Sequence, residues 1–426
     1  MRHTSASRMY RRRHACDHPF TKALPIALSL ICLLIAACSS GASTTTTHGH
    51  GALIPSAPSA PALGPRAQAS AIRDSLEYRI RATVSADLAR MSLDEKLGQL
   101  FLIETGWQQY NADVDVMVRG MHAGAVILYQ QNMASAPQLK NFIAAMQAHA
   151  SIPLLVTIDE EGGVVDRLGS LGFDARLPAA QDLAASGDPA RARQAGAQSA
   201  AELKALGINT NLAPVADVRT VPNAVEFTRI YGDDPATVVT YAGQFLQGLQ
   251  QSGVVGCVKH WPGIGSVSLD PHDTLPVMDR GRQQLETTDF AAFRGLLALN
   301  PGMVMVTHVV VPAIDPDLPA TLSPKLVQGV LRGELGYDGV VMTDSLYMKG
   351  ISLRYDLGEA AVMSVLAGDD LLEGAFDPDS MRFMLAALKG AITDGRLSVG
   401  RIDDSVRRIL ALKARYGLLP VLPPSA

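Results

Sequence analysis

Eight short apolar runs, each followed by a longer amphipathic or polar stretch, constrain the fold of this chain more than any other feature. They are Gln99–Ile103, Ala125–Leu128, Leu154–Ile158, Asn209–Leu212, Val254–Val258, Met303–Thr307, Gly339–Met342 and Asp369–Leu372. Between them lie segments with helical spacing, among them Pro189–Leu206, Pro235–Ser252, Leu285–Leu299, Pro324–Leu335 and Gly358–Ala367. Pro189, Pro235 and Pro324 open three of these, which suits the first helical position because its N–H would be unpaired there anyway. Most of the runs are apolar along their length, as strands buried on both faces must be, and a parallel sheet covered by helices has that requirement. The pattern therefore predicts an α/β chain folded as a (β/α)8 TIM barrel. A doubly wound open sheet also fits the alternation, but nothing in the sequence resembles the Gly-rich dinucleotide turn that would favour it.

Ser92 and Glu95 have capping-box spacing and mark a helix start just before the first run. The last helix is expected over Arg401–Tyr416, where Ile402, Val406, Ile409, Leu410 and Leu412 fall on roughly one stripe. With only ten residues beyond it, no further catalytic or binding domain is expected to follow.

The first 37 residues read as a signal rather than as fold. Arg8, Arg11, Arg12, Arg13 and Lys22 precede an apolar run, Ala23–Ala37, that is short for a membrane span. The run ends in Leu34-Ile35-Ala36-Ala37-Cys38, which resembles a bacterial lipobox with Cys38 as the lipid-modified first residue of the mature protein. An ordinary cleaved signal peptide is the other reading, and both imply export. The tract 38–70 is rich in Thr, Ser, Pro, Ala and Gly, buries almost nothing and reads as a tether. Residues 71–418 form the expected catalytic barrel, and 419–426 a tail.

Residues 1–37 carry six Lys/Arg and one Asp, so their removal takes the formal net charge from −4 to −9. That acidity argues against nucleic acid as a partner. Cys16 and Cys32 leave with the signal and Cys38 would be acylated, so Cys257 stands alone and no disulfide is expected.

The unusual polar residues cluster just after the apolar runs. Asp159-Glu160-Glu161-Gly162-Gly163 follows the third, with Arg167 close behind. The fourth leads to Asp217 and Arg229, and the fifth to Lys259-His260-Trp261-Pro262-Gly263 and the loop Asp270-Pro271-His272. His308, Asp344 and Glu373 end the sixth, seventh and eighth. In a barrel these positions share the C-terminal rim, where active sites are built. An Asp two residues from a His can fix the imidazole tautomer and raise its basicity, giving a proton-transfer group that works near neutral pH. The same loop would also suit a turn with incidental histidines, or a metal site.

These motifs resemble glycoside hydrolase family 3, and within it the bacterial β-N-acetylhexosaminidases. The resemblance runs from Met91-Ser92-Leu93-Asp94-Glu95-Lys96 to the last helix. Its most specific elements are Asp159-x-Glu161-Gly162-Gly163, Lys259-His260-Trp261-Pro262-Gly263, Asp270-x-His272 and Met342-Thr343-Asp344-Ser345-Leu346-Tyr347-Met348. It implies a retaining double displacement on carbohydrate, with Asp344 as nucleophile and His272 as acid/base oriented by Asp270. Asp159, Arg167, Arg229, Lys259 and His260 would hold the terminal sugar. No metal or organic cofactor is implied. The expected substrates are GlcNAc-terminated glycans and peptidoglycan fragments, acted on by a monomer that touches the membrane only through its lipid.

Several positions depart from the family pattern. Ile264 stands where His is common, Pro271 where a small hydroxyl residue is, Val164 and Asp166 where Arg and Gln are, and Glu226-Phe227 replaces a small apolar pair. β-Glucosidase-type hydrolysis and phosphorolysis remain open on the same scaffold, as does a sugar-binding lipoprotein without catalysis.

Overall fold

A computed structural model describes residues 75–423, apart from 173–175, 223 and 225. The signal segment, Cys38 and the tether lie outside the described residues. Strands β1 (Phe101–Ile103), β2 (Ala125–Leu128), β3 (Leu155–Ile158), β4 (Thr210–Asn211), β5 (Val255–Trp261), β6 (Met303–Val306), β9 (Val340–Thr343) and β10 (Leu372–Ala375) make one eight-stranded parallel sheet. Its order is β10-β1-β2-β3-β4-β5-β6-β9. A parallel bridge between Met342 and Leu371 joins the two ends, so the sheet closes on itself. This is the (β/α)8 barrel expected from the alternation.

Alternate residues along each strand go to different cores, as the two-residue period of a strand requires. Leu102, Ala125, Ile127, Leu155, Val255, Cys257, Met303, Met305, Val340 and Met342 pack together inside the barrel. Phe101, Ile103, Val126, Leu128, Val156, Ile158, Val304, Val306 and Val341 pack outward against the helices. Ile409 and Leu412, on the last helix (Val399–Arg415), join the inner set. Cys257 is free and buried in that inner layer.

All eight apolar runs contain or overlap a strand, and the helix over Pro189–Leu206 has the bounds its sequence predicts. The Ser92–Glu95 capping box is formed as well. Several features differ. Leu285–Leu299 is two helices, Arg282–Thr287 and Asp289–Leu297, and Lys325–Glu334 is wound with the wider turns of a π-helix. An antiparallel hairpin, β7 (Val310–Val311) with β8 (Asp315–Pro319), has no counterpart in the apolar pattern, since β8 is mostly polar. The eighth strand starts three residues later than expected: Leu371 makes only an isolated bridge to Met342, and before it stands Asp370, whose N–H donates to the Val341 carbonyl at 2.7 Å. Its Oδ2 accepts from the Val341 N–H (3.1 Å) and from Arg332 (2.6 Å), and Ser405 donates to its Oδ1 (2.7 Å).

Strand β5 runs three residues past the apolar stretch, so Lys259 and His260 are strand residues rather than loop residues. Regular alternation would put Lys259 and Trp261 on one face. The pairing register with β6 shifts between Val258 and Trp261, which separates them. Trp261 packs against Phe290 and Phe293 at 5.1 Å between ring centroids, while the Lys259 ammonium reaches carboxylates that follow β3.

Candidate active site

Two of the three acids after β3 reach Lys259 while the one between them points elsewhere, again by alternation. Lys259 Nζ lies 2.5 Å from Asp159 Oδ1 and 2.6 Å from Glu161 Oε1. Glu160 instead accepts from the backbone N–H groups of Arg167 (2.8 Å) and Leu168 (3.1 Å), and burial pushes its carboxyl up to about 8. The turn that follows needs glycine: Gly162 has φ +90°, and a Cβ there would sit 2.4 Å from the Pro178 carbonyl oxygen.

Arg229 reaches the same cluster from the loop after β4. Its Nε and Nη2 both donate to Glu161, each at 2.7 Å, and its Nη1 pairs with Glu226. This two-pronged geometry is the strong form of an Arg–carboxylate contact. Burial works to raise the Glu161 pKa, but the charges of Arg229 and Lys259 outweigh it and hold the carboxyl far below its ordinary range. Glu161 therefore fixes two cations at once. Glu161→Gln is expected to destabilise the fold by about 3–5 kcal/mol, since it leaves buried Lys259 undercompensated. Urea denaturation reads this directly. An unchanged midpoint would mean that Asp159 and Glu226 suffice.

His260 belongs to a second buried pair. Its Nδ1 lies 2.8 Å from Asp217 Oδ2, and Asp217 Oδ1 accepts from the Ile264 N–H at 2.8 Å. Burial alone would depress this imidazole, but the Glu226 and Asp217 charges raise it. The β5 loop can pass this closely only because residue 265 is glycine, whose Cβ would lie 2.0 Å from the Val218 carbonyl oxygen.

Across the barrel mouth, Asp344 directly follows β9 and is half-buried. Its Oδ1 accepts from the Ser345 N–H (2.9 Å) and its Oδ2 from the Thr307 hydroxyl (3.1 Å). Burial would raise its pKa, yet the imidazoles of His308, His260 and His272 bring it below the ordinary value. His308 is itself depressed by burial, so near neutrality the support comes mainly from the other two. His308 Nε2 donates to the Ser345 carbonyl at 2.9 Å, which fixes the chain beside Asp344.

The Asp270–His272 pair sits on the exposed loop after β5. Asp270 Oδ1 is 2.7 Å from His272 Nδ1 and also accepts from the His272 N–H at 2.9 Å. That leaves Nε2 as the nitrogen open to a ligand. The loop is fastened to the segment after Asp344, with the Lys349 N–H donating to His272 O (3.3 Å) and the Gly350 N–H to Pro271 O (3.2 Å). The bond to Asp270 raises the His272 pKa, partial burial opposes this, and the charge of Asp344 adds to the rise.

The structure thus joins Asp159, Lys259 and Arg229 in one network, ties His260 to it through Glu226, and places Asp344 within electrostatic reach of His260 and His272. Arg167 donates its backbone N–H to Glu160, at the start of the turn Leu168–Leu171. Glu161 was visible in the sequence as part of a motif, but its role as the hub of two cations was not. Asp217 stood at the expected strand end without an assigned partner. Glu104 and Tyr129, which directly follow β1 and β2, were missed altogether. Tyr129 donates to Glu373 (2.9 Å) and Ser345 to Glu104 (3.3 Å). Burial pushes Glu104 up to about 7 and Glu373 well above its ordinary value.

A family model described as the N-terminal domain of glycosyl hydrolase family 3 matches residues 92–412. A β-hexosaminidase of Nitrosomonas eutropha is 34% identical over 298 residues, which span 68% of this chain and 85% of that protein. A β-N-acetylglucosaminidase/β-glucosidase of Cellulomonas fimi is 31% identical over 353 residues, 79% of this chain but 60% of that protein. Among solved structures, a family 3 β-N-acetylglucosaminidase from Paenibacillus sp. str. FPU-7 aligns with a TM-score of 0.75 at 39% identity. That alignment covers 77% of this chain and 63% of the other. Barrel, strand-end motifs and relatives agree: this chain belongs to glycoside hydrolase family 3.

Proposed function

We propose that the protein is an exo-acting, retaining β-N-acetylhexosaminidase that removes terminal GlcNAc from peptidoglycan fragments or chitooligosaccharides. The observation that carries this reading is the Asp270–His272 pair, fastened beside Asp344 with Nδ1 engaged and Nε2 open. In the first step the Asp344 carboxylate attacks the anomeric carbon while His272 Nε2 gives its proton to the departing glycosidic oxygen. In the second, Nε2 takes a proton from water, the water oxygen bonds to the anomeric carbon, and Asp344 leaves as carboxylate. Two inversions give net retention. Here an Asp–His pair stands in for the second carboxyl group of the usual retaining pair. Asp159, Lys259, Arg229 and His260 supply charge-assisted hydrogen bonds to the hydroxyl and acetamido groups of the sugar, with Arg167 at the edge of the set.

Turnover of paired nitrophenyl β-GlcNAc and β-glucose substrates, with and without phosphate, tests the reading. Preferred hydrolysis of the GlcNAc substrate, indifferent to phosphate, supports it. Preference for glucose, or release of a sugar 1-phosphate, overturns it.

The pH profile follows from the two catalytic groups. Asp344 has to be ionised, and its lowered pKa keeps it so down to below about 3.9. His272 has to carry its proton in the first step, and its raised pKa preserves that form above about pH 6.5. Rates on glycosides with poor leaving groups are therefore expected to fall on the alkaline side of that value. The alkaline limb should vanish in His272→Ala, and its persistence there would assign it to another group.

The proposal includes export and attachment to the bacterial membrane through Cys38, with the barrel facing outside. One acyl chain holds a protein only marginally, so stable retention requires the several chains that a lipoprotein cysteine receives. Cys38→Ser is expected to leave the chain unlipidated without changing the activity of the barrel. Mass spectrometry of the mature N-terminus decides this, and a start at any other residue would leave export alone.

A further inference from the structure

We propose that Asp217, Glu226 and His260 form a binding site for one divalent transition-metal cation, zinc above all, and that a bound ion blocks the sugar pocket. One imidazole nitrogen of His260 and one oxygen each from Asp217 and Glu226 lie within 4.8 Å of one another, and all three residues are buried. A second, independent observation points to a ligand. Glu226 is only 4% exposed, and its Oε2 has no hydrogen-bond partner among the described residues. Its Oε1 is taken by Arg229. A buried carboxylate oxygen without a donor is costly unless something positive meets it.

The local charge supports the same conclusion. Asp159, Glu161, Asp217 and Glu226 outnumber the fixed cations Lys259 and Arg229 that pair with this cluster, which leaves an excess of carboxylate beside the three donors. Glu226 also departs from the family pattern noted in the sequence, where a small apolar residue is common.

The donor set of one nitrogen and two carboxylate oxygens, with no thiol, suits zinc better than magnesium or calcium, which favour oxygen alone. Zinc binds such donors at about 2.0–2.2 Å, so a tetrahedral site brings them to roughly 3.4 Å apart. The donor atoms lie within 4.8 Å of one another, so the widest separation has to contract by at most about 1.4 Å. Asp217 stays anchored meanwhile by the Ile264 N–H. The imidazole nitrogen that takes the metal gives its proton, if it holds one, to solvent, and water fills the fourth position. No electron is transferred. The metal site rests on these three residues alone, whereas the inhibition rests on the proposed role of His260 in holding the sugar.

Titration calorimetry of the metal-stripped, untagged protein with zinc tests the site. The expected result is a single ion per chain with affinity in the micromolar range. Glu226→Gln and Asp217→Asn should each weaken it by roughly 10–100-fold or more. His272→Asn should leave it unchanged, as should replacement of both histidines of the tether tract 38–70, His48 and His50. No uptake at about 1 mM zinc overturns the proposal. So does full affinity in Glu226→Gln, or loss of binding in His272→Asn. Zinc-edge X-ray absorption of the unsubstituted protein keeps the test independent of variant folding. One imidazole with oxygen neighbours is expected, and two imidazoles or a sulfur would refute the site. Adding GlcNAc should weaken zinc binding. If zinc binds through Glu226 and GlcNAc has no effect, the metal site stands while its blocking of the sugar pocket fails, together with the assignment of His260 to the sugar.

Discussion

Asp344→Asn should lower turnover of nitrophenyl β-GlcNAc by about 10⁴–10⁶-fold while leaving the thermal midpoint nearly unchanged. The substitution is isosteric. The side chain can still meet the Ser345 N–H and the Thr307 hydroxyl, so the end of β9 keeps its anchors. What it loses is the charge that forms the bond to the anomeric carbon. The neighbouring acids are poor substitutes. Burial pushes Glu104 up to about 7 and Glu373 well above its ordinary value, which disfavours their carboxylate forms, and the Lys259 ammonium occupies Asp159. A slow fluorinated substrate should leave its sugar on the peptide that contains Asp344. Near-normal turnover of the variant, or a sugar on another carboxylate, would remove Asp344 as nucleophile.

The second large effect depends on the leaving group. His272→Ala should cost roughly 10²–10⁴-fold on unactivated glycosides and far less on activated aryl glycosides, which depart without a proton. The pairing of Nδ1 with Asp270 explains why the two residues act together: it leaves Nε2 as the proton carrier and raises its basicity. Asp270→Asn should accordingly slow the same poor substrates, by holding the imidazole less firmly in the working tautomer. Equal losses in His272→Ala across leaving groups of widely different acidity would show that His272 shapes the pocket rather than moving protons.

The sequence alone determined the barrel. Strands buried on both faces need unbroken apolar runs, and helices that cover them need a polar outer face, so eight such alternations admit few closed solutions. It also placed Asp159, Lys259, His260, Asp270, His272 and Asp344 on one rim, because polar residues after a strand lie at its C-terminal end. The edges of the elements were less legible. The extension of β5 through Lys259 and His260 comes from hydrogen bonds to its neighbours rather than from hydropathy, and β10 starts only at Leu372, although the run begins at Asp369.

Only the tertiary structure decided which charges meet. Glu161 joins Lys259 to Arg229, 68 residues along the chain from itself, and Asp217 fixes His260, 43 residues away. Glu226 comes to lie beside that pair with one oxygen unpaired among the described residues, and Tyr129 meets Glu373 across 244 residues. No local spacing encodes such contacts. They follow from barrel closure, which brings the ends of eight strands to one mouth and there sets the desolvation and partners that fix each group's protonation.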